Sequence, residues 1–232
     1  PLIAAPEPGT VTIVLDVEPR SLDPGELISM FPGQVMAKNI LEPLTQMDPA
    51  DSRIIPRLAT SWKQVNPTTW HFVLRKGVKF HDGEDFNADA VIFSIKRLYD
   101  KRLESNTRGK FFGGVKMEGK ALDSHTVEVR TEKPEPLLPV FMGVLPICSP
   151  NTPTDKWTRS PIGTGPYKFV KWDAGTQVSL ERFDRYWGKQ GPVKKAVYLW
   201  RNESSVRAAM VQIGEADLAP NIAMQDATRP DV

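Results

Sequence analysis

The chain has 232 residues, 40% of them hydrophobic and 25% charged, which allows one large domain or two smaller ones around a real core. Its 30 basic and 28 acidic residues leave a net charge of +2. The signs are interspersed, which argues against a nucleic-acid partner and for a mixed, solvated surface.

The single cysteine, Cys148, excludes an internal disulfide. It stands in the apolar stretch "VLPICSP", where no base is at hand to activate a nucleophile, so a buried structural role is favoured. No apolar run reaches the roughly 18–20 residues of a membrane-spanning helix. The 21 prolines are spread along the chain and predict many turns rather than a low-complexity tract.

"PLIAAPEPGT" reads as a short flexible lead-in, either a mature terminus after a removed signal or simply a boundary. "TVTIVLD" (10–16) is apolar and β-branched and predicts a buried first strand. The loop "SLDPGELISMFPG" (21–33) carries Leu27, Ile28, Met30 and Phe31 among turn residues. Such a loop either packs over the core or lines a cleft. "QVMAKNILEPL" (34–44) predicts a helix closed by Pro43. "LATSWKQVN" and "TWHFVLRKG" meet at Asn66-Pro67 and predict a β-hairpin, with Trp70, Phe72 and Leu74 on its better-buried face.

The strongest helix signal covers residues 80–100. Asn87 is the expected N-cap, Asp89 complements the helix dipole, and Ala88, Val91, Ile92, Ile95, Leu98 and Tyr99 form one apolar stripe. Residues 115–134 predict two strands around Asp123-Ser124, and 134–150 a short helix or turn followed by a buried extended segment. "YKFVKWD" and "QVSLERF" predict a second hairpin around "DAGT". "KKAVYLWRN" predicts a further strand, and Asn202 or Ser204 is expected to cap a helix over "SSVRAAMVQIGEADL" that ends near Gly214. Strands dominate 50–135 and mix with helices elsewhere, which gives an α/β or α+β class.

The motif "PIGTGPYKFVKW" places Gly163 and Gly165 in a candidate phosphate loop. A phosphate loop must open into a helix N-terminus, whereas this one runs into an alternating aromatic strand and matches no nucleotide fingerprint. His71, His81 and His125 lie far apart, and His81-Asp82 offers the one conceivable metal pair, outweighed by a polar strand-end histidine. No G-x-S-x-G elbow is present. The residues themselves support neither a catalytic group, a metal nor a cofactor.

Several segments in a fixed order carry a family resemblance: "SLDP", "LEPLTQMD", "PRLATSWK", "TWHFVLRKGVKFHDG", "FNADAVIFSIKRL", "PIGTGPYKFVKW", "ERFDRYWG" and "SVRAAMVQIGEADL". In this the chain resembles the family 5 extracytoplasmic solute-binding proteins, the peptide, dipeptide and nickel-type receptors of ABC importers. The resemblance implies an α/β, type II periplasmic-binding-protein-like fold: a mixed-sheet lobe with an inserted β-rich subdomain, closing by hinge motion on a second lobe that is absent here. It divides the chain into a lobe core, 1–45 with 161–232, and an insertion, 46–160.

The same resemblance implies a non-catalytic role, capture of a peptide-like solute, delivery to a membrane permease and a periplasmic or extracytoplasmic location after removal of a signal peptide. It implies ligand contacts around Ser29, Met30 and Phe31, with an aromatic loop at Phe111 and Phe112 facing the cleft. A lobe without its partner is expected to expose apolar surface and to self-associate. The competing readings are a metal-dependent hydrolase built on His81-Asp82 and a pure protein-interaction domain.

Overall fold

The computed structural model describes residues 8–25, 31–103, 105–154 and 159–227. Strand β1 (Thr10–Leu15) and helix α1 (Phe31–Ile40) come first. A small hairpin of β2 (Thr45–Met47) and β3 (Ile54–Pro56) leads to β4 (Ala59–Asn66) and β5 (Thr69–Leu74). Helices α2 (Ala88–Tyr99) and α3 (Asn106–Phe111) follow, then β6 (Met117–Asp123), β7 (Thr126–Thr131) and the single turn α4 (Leu138–Phe141). The chain ends through β8 (Tyr167–Asp173), β9 (Gln177–Arg182), β10 (Lys195–Trp200), α5 (Ser204–Gln212) and α6 (Met224–Ala227).

Two four-stranded sheets organise these elements. The first has the order β1-β10-β9-β8, with β1 and β10 parallel in the register Thr10↔Lys195 to Leu15↔Trp200 and the other pairs antiparallel. The second, β4-β5-β7-β6, is wholly antiparallel. Each sheet has its own core. Phe72, Leu74, Val127 and Val129 bury one face of the second sheet together with Phe80, Phe86, Val91, Ile95 and Leu98. Leu15, Leu22, Met36, Ile40, Val178, Leu180 and Tyr198 fill the first. Fully burying a large aliphatic or aromatic side chain stabilises by about 1.5–3 kcal/mol, so the period-two and period-3.6 patterns translate directly into these two cores.

Local chemistry accounts for the element ends. Asn87 Oδ1 accepts from Ala90 N–H at 3.2 Å, the expected cap of α2. Beyond α5, Gly214 has φ +76°, its N–H donates to Val211 O, and Glu215 N–H donates to Met210 O. That is the paired bonding of a Schellman terminus, which needs a left-handed residue.

Four local expectations change. Helix α1 starts at Phe31 and ends at Ile40, earlier than 34–44, because the chain turns at Leu41 to meet the strand-return segment. Strand β1 is only half-buried: Val14 and Leu15 are covered, while its free edge holds a single bridge from Ile13 to Leu218. Position 203 precedes α5, so Glu203, not Asn202 or Ser204, occupies the cap, and it makes no side-chain cap bond; Ser204 Oγ instead accepts from Ala223 N–H at 2.7 Å. The aromatic segment at 111–112 is the end of helix α3 rather than a loop.

Candidate functional site

In open α/β sheets ligands bind outside the carboxyl ends of the parallel strands. Here β1 and β10 end side by side at Leu15 and Trp200, where Arg201 N–H donates to Leu15 O at 2.8 Å. From β1 the chain enters the turn Ser21–Gly25. Asp23 Oδ1 accepts from Gly25 N–H at 2.7 Å, Asp23 N–H donates to Ser21 Oγ at 2.8 Å, and the other carboxylate oxygen pairs with Arg97 of α2. Thr107 N–H, in the first turn of α3, donates to Gly25 O at 2.9 Å. The helix that carries Phe111 therefore starts on the turn that leads toward residues 29–31.

The expected ligand residues fall out as follows. Ser29 and Met30 lie outside the described residues. Phe31 is the first residue of α1, and its side chain is likewise outside them. Phe111 is 39% exposed, whereas Phe112 is 1% exposed, with its ring centroid 5.5 Å from that of Phe141 in the core of the second sheet. The pair is split: Phe112 packs, and Phe111 stays on the surface.

The glycine motif is explained by close approach. A Cβ on Gly163 would lie 1.9 Å from Ile40 O, and one on Gly165 2.3 Å from Asn39 O. Gly165 N–H donates to Ile40 O at 3.0 Å, satisfying a carbonyl at the end of α1. His81 locks the same segment. Its Nε2–H donates to Gly165 O at 2.9 Å, and its Nδ1 accepts from Gly163 N–H at 3.4 Å. The Nδ1 bond requires the neutral ring, whereas the Nε2–H bond can be made by either form. Burial lowers the pKa of His81 to about 4, against the opposing pull of the Gly165 carbonyl. Neither ring nitrogen is left for a metal, and Asp82 Oδ2 is taken by Ser149 Oγ at 2.8 Å and Asn151 Nδ2 at 3.1 Å. Cys148 is fully buried and desolvation raises its thiol pKa.

Beside this junction lies a buried carboxylate that residue-type reasoning missed. Glu42, 1% exposed, accepts from Thr164 Oγ1 at 2.8 Å, Trp187 Nε1 at 2.8 Å and Tyr186 OH at 3.0 Å, and pairs with Arg57 at 2.6 Å. Arg75 stacks over the Trp187 ring at 4.2 Å. The segments "LEPL", "PRLA", "GTGPY" and "RYWG" thus converge on one hydrogen-bonded point. Among the described residues, no group of three His, Cys, Asp or Glu side chains is placed to hold a metal ion, and no helix is long and apolar enough to cross a membrane.

The arrangement defines one α/β lobe with a β-rich insertion and loops gathered at the carboxyl end of a parallel strand pair. The chain belongs to the bacterial extracellular solute-binding proteins, family 5, whose family model (the middle region) matches residues 53–231. It is 33% identical over 220 residues to the glutathione-binding protein GsiB of Pectobacterium atrosepticum, covering 89% of this chain and 41% of that one. It is 27% identical over 246 residues to di/tripeptide-binding protein 1 of Pseudomonas aeruginosa, covering 92% and 45%. In structure it is similar to the periplasmic binding protein DppA of Helicobacter pylori in complex with the peptide STSA, with a TM-score of 0.78, 28% identity, and coverage of 89% of this chain and 45% of that one. The chain spans less than half the length of these relatives, so the match is to part of a periplasmic-binding-protein fold.

Proposed function

We propose that this chain is part of a non-catalytic solute receptor of an ABC importer, acting outside the cytoplasmic membrane and supplying one side of a cleft that captures peptide-like solutes. The observation that carries the reading is the family match over residues 53–231, joined to relatives named for glutathione, di- and tripeptides and peptide STSA. Residues 1–45 with 161–232 form the lobe core, and 46–160 the insertion. The two cores support this division: one draws on residues 44–147, the other on 15–41, Cys148 and 178–198. Ser29, Met30, Phe31 and Phe111 face the solute, and Phe112 holds Phe111's helix from within. The permease partner follows from the receptor role.

Amide chemical-shift mapping of the chain with millimolar di- and tripeptides tests this. Shifts confined to the 21–31 segment and the end of α3 are the expected result. Saturable shifts elsewhere, or peptide hydrolysis that depends on added zinc, would overturn it.

A further inference from the structure

Arg97 is buried in α2 at 6% exposure, and only one edge of its guanidinium is paired, to Asp23. Among the described residues, Nε and Nη1 have no hydrogen-bond partner, and neither has Thr107 Oγ1, on a residue 1% exposed. The residues that carry these groups, Arg97 and Thr107, line one small, partly open pocket, with Asp23, Ser94, Ser105 and Leu145 among the rest of its wall. The other polar groups there are occupied. Ser94 Oγ donates to Ala90 O and accepts from Cys148 N–H, Ser105 Oγ accepts from Arg108 N–H, and Asp23 Oδ1 accepts from Gly25 N–H. Leaving a buried donor unmade costs the full desolvation of that group.

The cavity offers about 10 Å³ to the centre of a water-sized sphere, close to the minimum for one water, which needs two to four polar partners. One Arg97 donor and the Thr107 hydroxyl supply two, since Nε–H and Nη1–H point to different edges of the guanidinium. Asp23 already neutralises the Arg97 charge, so the cavity has little net field to draw in an anion, and its size excludes an organic group. We propose that this pocket is an ordered hydration site: one water accepts from Arg97 Nε or Nη1 and bonds Thr107 Oγ1. It joins α2 and α3 beneath the Ser21–Gly25 turn, which both helices already touch through Asp23 and Gly25 O. The water makes the turn a three-way joint.

A high-resolution crystal structure of the 232-residue chain, with a parallel bromide soak, tests the site. The expected result is a single peak about 2.7–3.2 Å from an Arg97 nitrogen and from Thr107 Oγ1, with no bromide signal. Thr107→Ser, which keeps the hydroxyl, retains the peak, and Thr107→Val removes it. A bromide peak would make the site an anion site, and a cavity closed by side-chain movement would leave no site at all; either result overturns the proposal. Should Thr107→Val fail to fold, water relaxation dispersion on the parent and Thr107→Ser proteins decides by counting long-lived waters: one fewer in the serine variant contradicts the role given to the hydroxyl, and equal counts agree with it.

Discussion

His81 shows how one buried ring carries a pH dependence. Unfolded, it titrates near 6.5; folded, burial lowers its pKa to about 4, with Lys168 lowering it further and Asp82 and the Gly165 carbonyl opposing. The unfolded chain therefore binds a proton that the folded chain refuses between those values. Stability conferred by the neutral ring is complete above pH 6.5, falls as the pH drops toward 4 and levels off below it, a loss of about 3 kcal/mol. Urea unfolding across that window is expected to show this slope, and His81→Gln to flatten it. The neighbouring Gly163 makes a steric prediction. Gly163→Ala puts a methyl at 1.9 Å from Ile40 O, a backbone atom that cannot rotate away. We expect a loss of about 3 kcal/mol or more, as for other strained or overpacked sites. Gly109→Ala in α3 meets no atom within 4 Å and is expected to gain up to about 1 kcal/mol from helix propensity. Urea midpoints of the two variants, moving in opposite directions, check the pair.

At the scale of elements, Glu42 is the point where the connection after α1, the strand-return segment and the β9–β10 connection are held together. Glu42→Gln replaces one acceptor oxygen by an NH₂ facing donors and strips Arg57 of its counter-charge. A cost of about 1–3 kcal/mol follows, because Glu42 is buried while the Arg57 left unpaired is 31% exposed and screened by solvent, read by urea unfolding, with tryptophan fluorescence reporting the loss.

The same region marks how far the sequence was legible. The hairpins, the α2 stripe and its Asn87 cap were readable because each depends on residues within a few positions of one another. Glu42 was not, because its partners lie 15 to 145 positions away and a lone glutamate in "LEPL" carries no local sign of burial. The glycines of "GTGPY" were legible as a turn, but their partner, the carbonyl end of α1, exists only in the fold. Helix α3 was missed because six residues with Gly109 among them give no periodic stripe. The split of Phe111 from Phe112 depends on which side of that helix end meets Phe141.

At the scale of the whole molecule, three large apolar side chains stand exposed among the last elements, Ile213 at 69%, Leu218 at 56% and Met224 at 83%. Exposed apolar side chains of this size favour association, so sedimentation velocity is expected to show weak self-association that Ile213→Ser reduces; a monomer at all concentrations would count against it. Solute affinity follows from the proposed role as one side of a cleft. A receptor binding at about 1 μM has about −8 kcal/mol available. On that proposed reading, a chain spanning 41% to 45% of its relatives keeps roughly half of that, which corresponds to about 1 mM or weaker. Calorimetry of this chain with di- and tripeptides is therefore expected to show no binding at micromolar concentration. A micromolar Kd for the chain alone would mean that the Ser21–Phe31 segment and α3 carry nearly the whole recognition by themselves.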